Sequence, residues 1–313
     1  MRYSLAVVWL ATSLVAAPAP AAGSQRTFVS TSGNDANTCS LVAPCRSFQV
    51  AVDAVAPRGE VIALDSGGYG GFLIDKSVTV SAAPGVHAGI SVGAPTTSAT
   101  GVRITAGAEI VTLRNLTITR TGFGGSCGVL ADNAFLGELH VENLHISGFV
   151  IAATAGLWFE SNGTLTVANS IMDDNYYGVR VSPPDFAIAT VVVRDTQLTR
   201  NIYGYSQDYG FGGGVTHSTI TRTNASANNN IGFYMNRTTT DRMVLESCVA
   251  SENGLAGVVQ GSGFLVLSGN SITGNGTGVQ ITGGSAQTRG NNTIVQNGTD
   301  VDGTLIVIRG GGT

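Results

Sequence analysis

Three carboxylates and one arginine occupy matching positions in a repeated phrase of this sequence. Asp132, Glu160 and Asp208 each follow a glycine by four residues, and Arg180 follows another by two. Paired carboxyl groups can donate and accept the protons of glycoside cleavage. On strands about 4.8 Å apart, Asp132 and Glu160 approach the ~5 Å of a retaining pair, whereas Glu160 and Asp208 lie ~10 Å apart, slightly beyond the inverting range. A lyase instead needs a base and a cationic partner, for which Arg180 beside Glu160, with Ca²⁺ as a further option, is the candidate.

Aromatic and basic side chains follow the same kind of glycine by two positions. They are Trp158, Tyr234 and Arg103. Aromatic rings pack on the C–H faces of sugars, and arginine binds carboxylates in a bidentate manner. With the acids, these residues predict an elongated face that binds an acidic or neutral polysaccharide. The alternative is that they are solvated side chains on the sheet of a non-catalytic structural or adhesive surface protein.

The elements that position these residues come from an internal repeat. Glycine followed by alternating apolar and variable residues recurs at intervals of 21 to 28 residues, at Gly101, Gly128, Gly156, Gly178, Gly204, Gly232, Gly257 and Gly278. Each interval holds a second alternating segment, such as residues 110–119. A coil of two or three short strands, each paired in parallel with the next coil, needs about 20 to 28 residues. Because side chains alternate along a strand, the second and fourth residues after each glycine should face outward.

Asparagines precede the repeated glycines in the later coils. They are Asn175, Asn201, Asn229, Asn253, Asn275 and Asn297. Stacked coils would place these side chains above one another, where their amides can pair with turn backbone and with each other. We therefore predict an asparagine ladder with a structural role.

The N-terminal part differs from the repeat. Ser47 is a fair N-cap for a short helix in which Phe48, Val52 and Val55 share one face, and this helix would cover the open end of the first coil. Cys39 and Cys45 lie close together in a polar stretch. They predict a small disulfide loop, which suits an oxidising compartment.

The first residues indicate an export signal. An apolar run over residues 5–17 is too short for a membrane anchor, and Ala19-Pro20-Ala21 follows it. We expect a signal peptide over residues 1–22, then one domain over 23–313 that is secreted and has no membrane segment. The chain carries 16 Lys and Arg against 20 Asp and Glu, a net charge of −4. That balance argues against a nucleic-acid partner.

The layout resembles the pectate-lyase-like superfamily, and residues 28–35 with 44–48 are similar to its uncharacterised exported bacterial members. The resemblance implies an all-β fold, a single-stranded right-handed parallel β-helix, over nearly all of the mature chain. Members include lyases, glycoside hydrolases, epimerases and adhesins. The Gly-His-Gly of polygalacturonases and the Asp-Pro-His of mannuronan epimerases are missing. The resemblance therefore predicts the fold and assigns no catalytic residue.

Overall fold

The computed structural model describes residues 23–308, apart from 94–99, 106, 108, 123, 133, 134, 136 and 209–212. The predicted signal peptide, residues 1–22, lies outside the described residues. In the described part, no helix is long and apolar enough to cross a membrane.

Short strands and one helix make up the described fold. The first elements are β1 (Ser24–Val29), α1 (Phe48–Ala54), β2 (Val55–Ala63), β3 (Gly67–Gly68), β4 (Phe72–Ile74), β5 (Val78–Ala82), β6 (Ala88–Val92), β7 (Thr100–Ile104), β8 (Ile110–Arg114), β9 (Leu116–Arg120) and β10 (Cys127–Ala131). The middle elements are β11 (Glu138–Glu142), β12 (His145–Ser147), β13 (Ala155–Phe159), β14 (Gly163–Ala168), β15 (Ile171–Asp173), β16 (Tyr177–Val181), β17 (Ile188–Arg194), β18 (Gln197–Thr199), β19 (Tyr203–Asp208) and β20 (Val215–Thr221). The last elements are β21 (Ile231–Asn236), β22 (Arg242–Glu246), β23 (Val249–Ser251), β24 (Ala256–Gln260), β25 (Phe264–Ser268), β26 (Ser271–Thr273), β27 (Thr277–Ile281), β28 (Ser285–Thr288), β29 (Thr293–Val295), β30 (Thr299–Asp302) and β31 (Leu305–Val307).

These strands stack into the faces of a parallel solenoid. Sheet 1 has the order β1-β2-β5-β8-β11-β14-β17-β20-β22-β25-β28-β31. Sheet 2 has the order β4-β7-β10-β13-β16-β19-β21-β24-β27-β30. Sheet 3 has the order β3-β6-β9-β12-β15-β18 and continues, through bridges at Asn224, as β23-β26-β29. Neighbouring strands come from successive coils and run parallel, so the predicted parallel β-helix is confirmed.

The core runs along the inside of all three sheets. Alternate strand residues point inward, as with Leu157 and Phe159 of β13, which are fully buried. One continuous apolar cluster joins these inward residues from the first coil toward the last. At the repeated glycines there is no room for a side chain. A Cβ at Gly178 would lie 2.6 Å from the carbonyl oxygen of Gly204 and 3.0 Å from Nδ2 of Asn201.

The asparagine ladder is present, with one residue corrected. Nδ2 of Asn175 donates to Oδ1 of Asn201 at 3.1 Å, and Nδ2 of Asn201 donates to Met172 O at 2.9 Å. The next member is Asn228, which is buried, whereas the predicted Asn229 is exposed. The prediction of Asn229 was wrong because three consecutive asparagines occur there, and only the turn geometry selects the one that points inward.

The N-terminal cap agrees with its prediction. α1 begins after Ser47, whose side chain accepts a hydrogen bond from the Val50 N–H. Phe48 is fully buried, and its ring centroid lies 5.0 Å from that of Phe72 and 5.1 Å from that of Tyr69. The helix therefore covers the first coil with apolar side chains.

The predicted disulfide between Cys39 and Cys45 is present, six residues apart in sequence. Closing so small a loop restricts the unfolded chain, so the double variant Cys39→Ala/Cys45→Ala should lose about 2 kcal/mol of stability. Urea unfolding measures the loss, with reduced wild-type protein as the control. A midpoint unchanged in both samples would contradict the role of the bridge.

Candidate functional site

The outer face of sheet 2 carries the row of side chains two residues after the repeated glycines. Its members are paired in register from strand to strand: Arg103, Leu130, Trp158, Arg180, Ser206, Tyr234, Val259 and Gln280. The predicted alternation therefore places Trp158, Arg180 and Tyr234 on one face. Because successive coils pair in register, residues 22 to 28 positions apart in sequence, such as Trp158 and Arg180, become direct neighbours.

Arg180 lies at the centre of this face and is well ordered by its contacts. Its Nε donates to Oδ1 of Asp208 at 3.0 Å, and only 10% of the Arg180 side chain is exposed. Oδ2 of Asp208 accepts a hydrogen bond from Ser206 Oγ at 2.9 Å. The guanidinium carbon lies 4.6 Å from the ring centroid of Trp158 and 4.7 Å from that of Tyr177. Arg180 is thus a covered cation, held by a carboxylate and two aromatic rings.

A second ion pair is centred on Arg103 of β7, three strands from Arg180 of β16. Nε of Arg103 donates to Oδ2 of Asp132 at 3.1 Å, and Nη2 contacts the same oxygen. Half of the Arg103 side chain is exposed (51%), so water screens this pair more than it screens the pair of Arg180 and Asp208. Asp132 therefore contacts Arg103, whereas the retaining pair predicted from the sequence joined Asp132 only to Glu160.

Glu160 differs from the other two candidate acids in its contacts. Among the described residues, its partly buried carboxylate has no hydrogen bond or ion pair. Burial raises its pKa, the negative charge of Asp132 adds to the rise, and Arg180 opposes it. Of the candidate acids, Asp132 and Asp208 are engaged by arginines, so Glu160 is the one without a cationic partner among the described residues.

The sequence prediction did not include two tyrosines of this face. Tyr177 and Tyr203 stand immediately before a repeated glycine and pair in register, with ring centroids 5.1 Å apart and an interplanar angle of 22°. Tyr203 also lies 5.8 Å from Tyr234. The prediction considered only residues after each glycine. The repeated Tyr-Gly dipeptide was the signal that could have found them.

Buried apolar residues support the aromatic rings along the axis. Ile231, Ala256 and Val259 form a small buried cluster outside the main core, and Tyr203 and Tyr234 pack against it. We call the aromatic strip the row formed by Trp158, Tyr177, Arg180, Tyr203, Ile231, Tyr234 and Val259, in which the four aromatic side chains are partly exposed and the other three are buried. It crosses the five strands β13, β16, β19, β21 and β24, which at about 4.8 Å a strand makes a length of roughly 20 Å. The indole N–H of Trp158 donates to Ser182 Oγ at 2.7 Å, which fixes one end of the strip.

Two further observations concern ligands other than a chain on the strip. Within the described ranges, no group of three or more His, Cys, Asp or Glu residues could hold a metal ion. A groove of about 510 Å³ lies at the corner between sheets 1 and 3, where Leu116, His145 and Ile171 are among its lining residues. This groove is on another side of the solenoid and contains none of the predicted site residues.

Comparisons with known proteins support the architecture. Residues 139–300, just over half of the chain, match the family model described as right handed beta helix region. No curated protein matches the sequence. Among solved structures, the chain is similar to pectate lyase Pel9A, with 17% identity, a TM-score of 0.52 and coverage of 92% of this chain and 78% of that one. At this identity the likeness establishes the fold alone.

Two more solved structures have lower similarity. The A-module of the Azotobacter vinelandii mannuronan C-5 epimerase AlgE4 has 12% identity and a TM-score of 0.41, over 80% of this chain and 91% of that one. The Dettilon tailspike protein (gp208) has 12% identity and a TM-score of 0.40, over 90% of this chain and 68% of that one.

Proposed function

This chain belongs to the right-handed β-helix family, and from that membership we propose that it is an exported protein that binds a polysaccharide along its aromatic strip. The observation that carries the proposal is the strip itself. Four partly exposed aromatic rings lie in a row around the covered Arg180 on the outer face of sheet 2. Rings presented in this way can pack against the C–H faces of sugars.

The shape of the strip suits a polymer. A solenoid repeats the same strand position in every coil and so builds an extended binding surface. A chain of similar sugars laid along the axis would meet a new ring or polar neighbour at each strand, about every 4.8 Å. Export is supported by the predicted signal peptide and by the Cys39–Cys45 disulfide, which fits an oxidising compartment.

The ion pairs favour binding without turnover. Asp132 contacts Arg103, and Asp208 contacts Arg180. Two of the three candidate acids are therefore already engaged, which suits a non-catalytic adhesive surface protein better than a hydrolase or a lyase. We expect the number of reducing ends to stay constant when the protein is incubated with the polysaccharide it binds.

Substitution of Trp158 tests the proposal. Trp158→Ala removes the ring at one end of the strip and one of the two rings that cover Arg180, so affinity for the bound polysaccharide should fall at least about tenfold, or 1.4 kcal/mol. Titration calorimetry and affinity electrophoresis against a panel of soluble polysaccharides measure the effect.

The matched control is Phe264→Ala. Phe264 is an exposed aromatic residue of β25 on sheet 1, away from the strip, and 49% of it is accessible. This variant should bind like wild type. Equal losses in both variants, or no binding to any member of the panel by folded wild-type protein, would contradict the proposal. Trp158→Phe, which keeps a ring, guards against loss of binding through misfolding.

A further inference from the structure

The charges of the strip bear on the kind of sugar it accepts. We propose that the aromatic strip selects polysaccharides of neutral sugars and rejects polyuronates, an inference that rests on the polysaccharide-binding function proposed above.

First, sheet 2 has few basic residues that a sugar carboxylate could bind. The ten strands of sheet 2 contain only two basic residues, Arg103 and Arg180. Both are in ion pairs, with Asp132 and Asp208 respectively. Arg237 is fully buried and donates to main-chain carbonyl oxygens, so it offers nothing to a ligand at the surface. The residues between 23 and 308 whose positions are not described include no charged residue.

The second step is the cost of recruiting Arg180. A sugar carboxylate that bound its guanidinium would have to displace Asp208, whose side chain is 12% exposed. The displaced carboxylate would remain in a poorly hydrated position without its partner, which is strongly unfavourable. Arg180 is also held over the Trp158 and Tyr177 rings, which limits how far it can turn toward a ligand.

The third step is the repulsion by Glu160. Its carboxylate lies beside Asp132 and has no hydrogen bond or ion pair among the described residues. With Asp132 and Asp208 it outnumbers the two arginines, so the face has a small excess of negative charge. A polyuronate adds one negative charge per sugar along the same axis, and bringing like charges together across an interface weakens binding.

Neutral sugars meet none of these penalties. Hydroxyl groups can donate to the carboxylates and exchange hydrogen bonds with the uncharged polar residues of the face. Asn236 is one of these, and its Nδ2 donates to the Tyr234 hydroxyl at 2.9 Å. The apolar rings contribute the same contact area whether or not the sugar is charged. The balance of charge therefore decides in favour of a neutral chain.

The experiment compares two classes of polymer on the intact protein. The neutral probes are xylan, galactomannan, mixed-linkage β-glucan and dextran, and the acidic probes are polygalacturonate and alginate, each in EDTA and in excess CaCl₂. We expect a neutral probe to bind at least about tenfold more tightly than either acidic probe in both buffers. Binding of an acidic probe that is equal or tighter, in EDTA or with Ca²⁺, would overturn the inference.

A charge substitution sharpens the test. Asp208→Asn frees Arg180 from its counter-charge and should raise polyuronate affinity at least about fivefold, with the gain lost at high salt. Asp195→Asn is the matched control, because it removes the same charge from the partner of Arg222 on another side of the solenoid. It should leave polyuronate binding unchanged. Glu160→Gln is the second variant if Asp208→Asn does not fold, and it should shift polyuronate affinity in the same direction.

The outcomes separate the two proposals. If polyuronates bind best and Trp158→Ala abolishes that binding, the preference for neutral sugars is wrong and the polysaccharide-binding function stands. If neither Asp208→Asn nor Glu160→Gln raises polyuronate affinity, the charge argument fails while binding of neutral probes is unaffected. If no probe of either class binds, the polysaccharide-binding function itself fails.

Discussion

Replacing Arg237 by methionine should lower the free energy of unfolding by about 3 to 5 kcal/mol, the usual cost of removing one partner from a buried charged network. Arg237 is fully buried. Its Nη1 donates to the carbonyl oxygen of Asp208 at 3.3 Å, and its Nη2 donates to the carbonyl oxygen of Pro183. Methionine keeps much of the apolar volume but donates no hydrogen bond. Both carbonyl groups would lose a charged donor inside the protein.

Asp241 adds to the cost of that substitution. It is fully buried, burial raises its pKa, and the positive charge of Arg237 is among the effects that oppose the rise. Without Arg237, the folded protein must hold this carboxylate with less compensation or take up a proton. Since Arg237 also joins the end of β19 to the segment that follows β16, its loss should loosen the polypeptide beneath Asp208.

Denaturant unfolding at neutral pH measures the effect of Arg237→Met. The control is Arg222→Met, because Arg222 is held by Asp195 but has 59% of its side chain exposed. Exposed pairs contribute little to stability because water screens them. Arg237→Lys, which keeps the charge but not the forked geometry, should fall between the two. Similar losses for Arg237→Met and Arg222→Met would show that the buried guanidinium does not stabilise the fold.

Replacing Asn228 by alanine should cost about 2 to 3 kcal/mol, near the upper end for a buried donor left without a partner. Oδ1 of Asn228 accepts a hydrogen bond from the Asn201 N–H at 3.0 Å, and its Nδ2 donates to Oδ1 of Asn253 at 2.9 Å. Alanine would leave the main-chain N–H of Asn201 unpaired in the interior. It would also break the ladder between two coils.

The neighbouring asparagine supplies the control for that substitution. Asn229 is exposed, and the hydrogen bond that places it is made by its main-chain N–H to Asn201 O at 2.7 Å. Asn229→Ala should therefore stay within about 0.5 kcal/mol of wild type. Thermal and urea unfolding of the two variants, measured side by side, compare identical chemical changes one residue apart. A loss for Asn229→Ala as large as for Asn228→Ala would contradict the ladder seen in the structure.

The solenoid could be predicted because its physics is local and repeated. A glycine every 21 to 28 residues, followed by strict alternation, leaves little choice in how short parallel strands bury their apolar side. The same alternation placed Trp158, Arg180 and Tyr234 on one outer face. The N-terminal cap could also be predicted, because Ser47 and the apolar face from Phe48 to Val52 are helix signals contained within a few residues.

The prediction of the site was less complete because the partners of each charge depend on contacts between coils. The spacing of the repeat allowed Asp132 to pair with Glu160, and it allowed Arg180 to be the cationic partner of Glu160. In the structure, Arg103 contacts Asp132 and Arg180 contacts Asp208. Side-chain length and rotamer determine such pairings, and the spacing of the repeat predicts neither of them.

The parallel β-helix, its capped N-terminus, the disulfide and the face of the aromatic residues could all be predicted, because each has a signal within one repeat or within a few neighbouring residues. Contacts between coils select which of three adjacent asparagines joins the ladder, bring Tyr177 and Tyr203 onto the strip, and leave Glu160 as the candidate acid without a partner among the described residues. These outcomes depend on the contacts between successive coils. A shift of one residue, or a different rotamer, leaves a polar group bonded to water instead of to a buried protein partner.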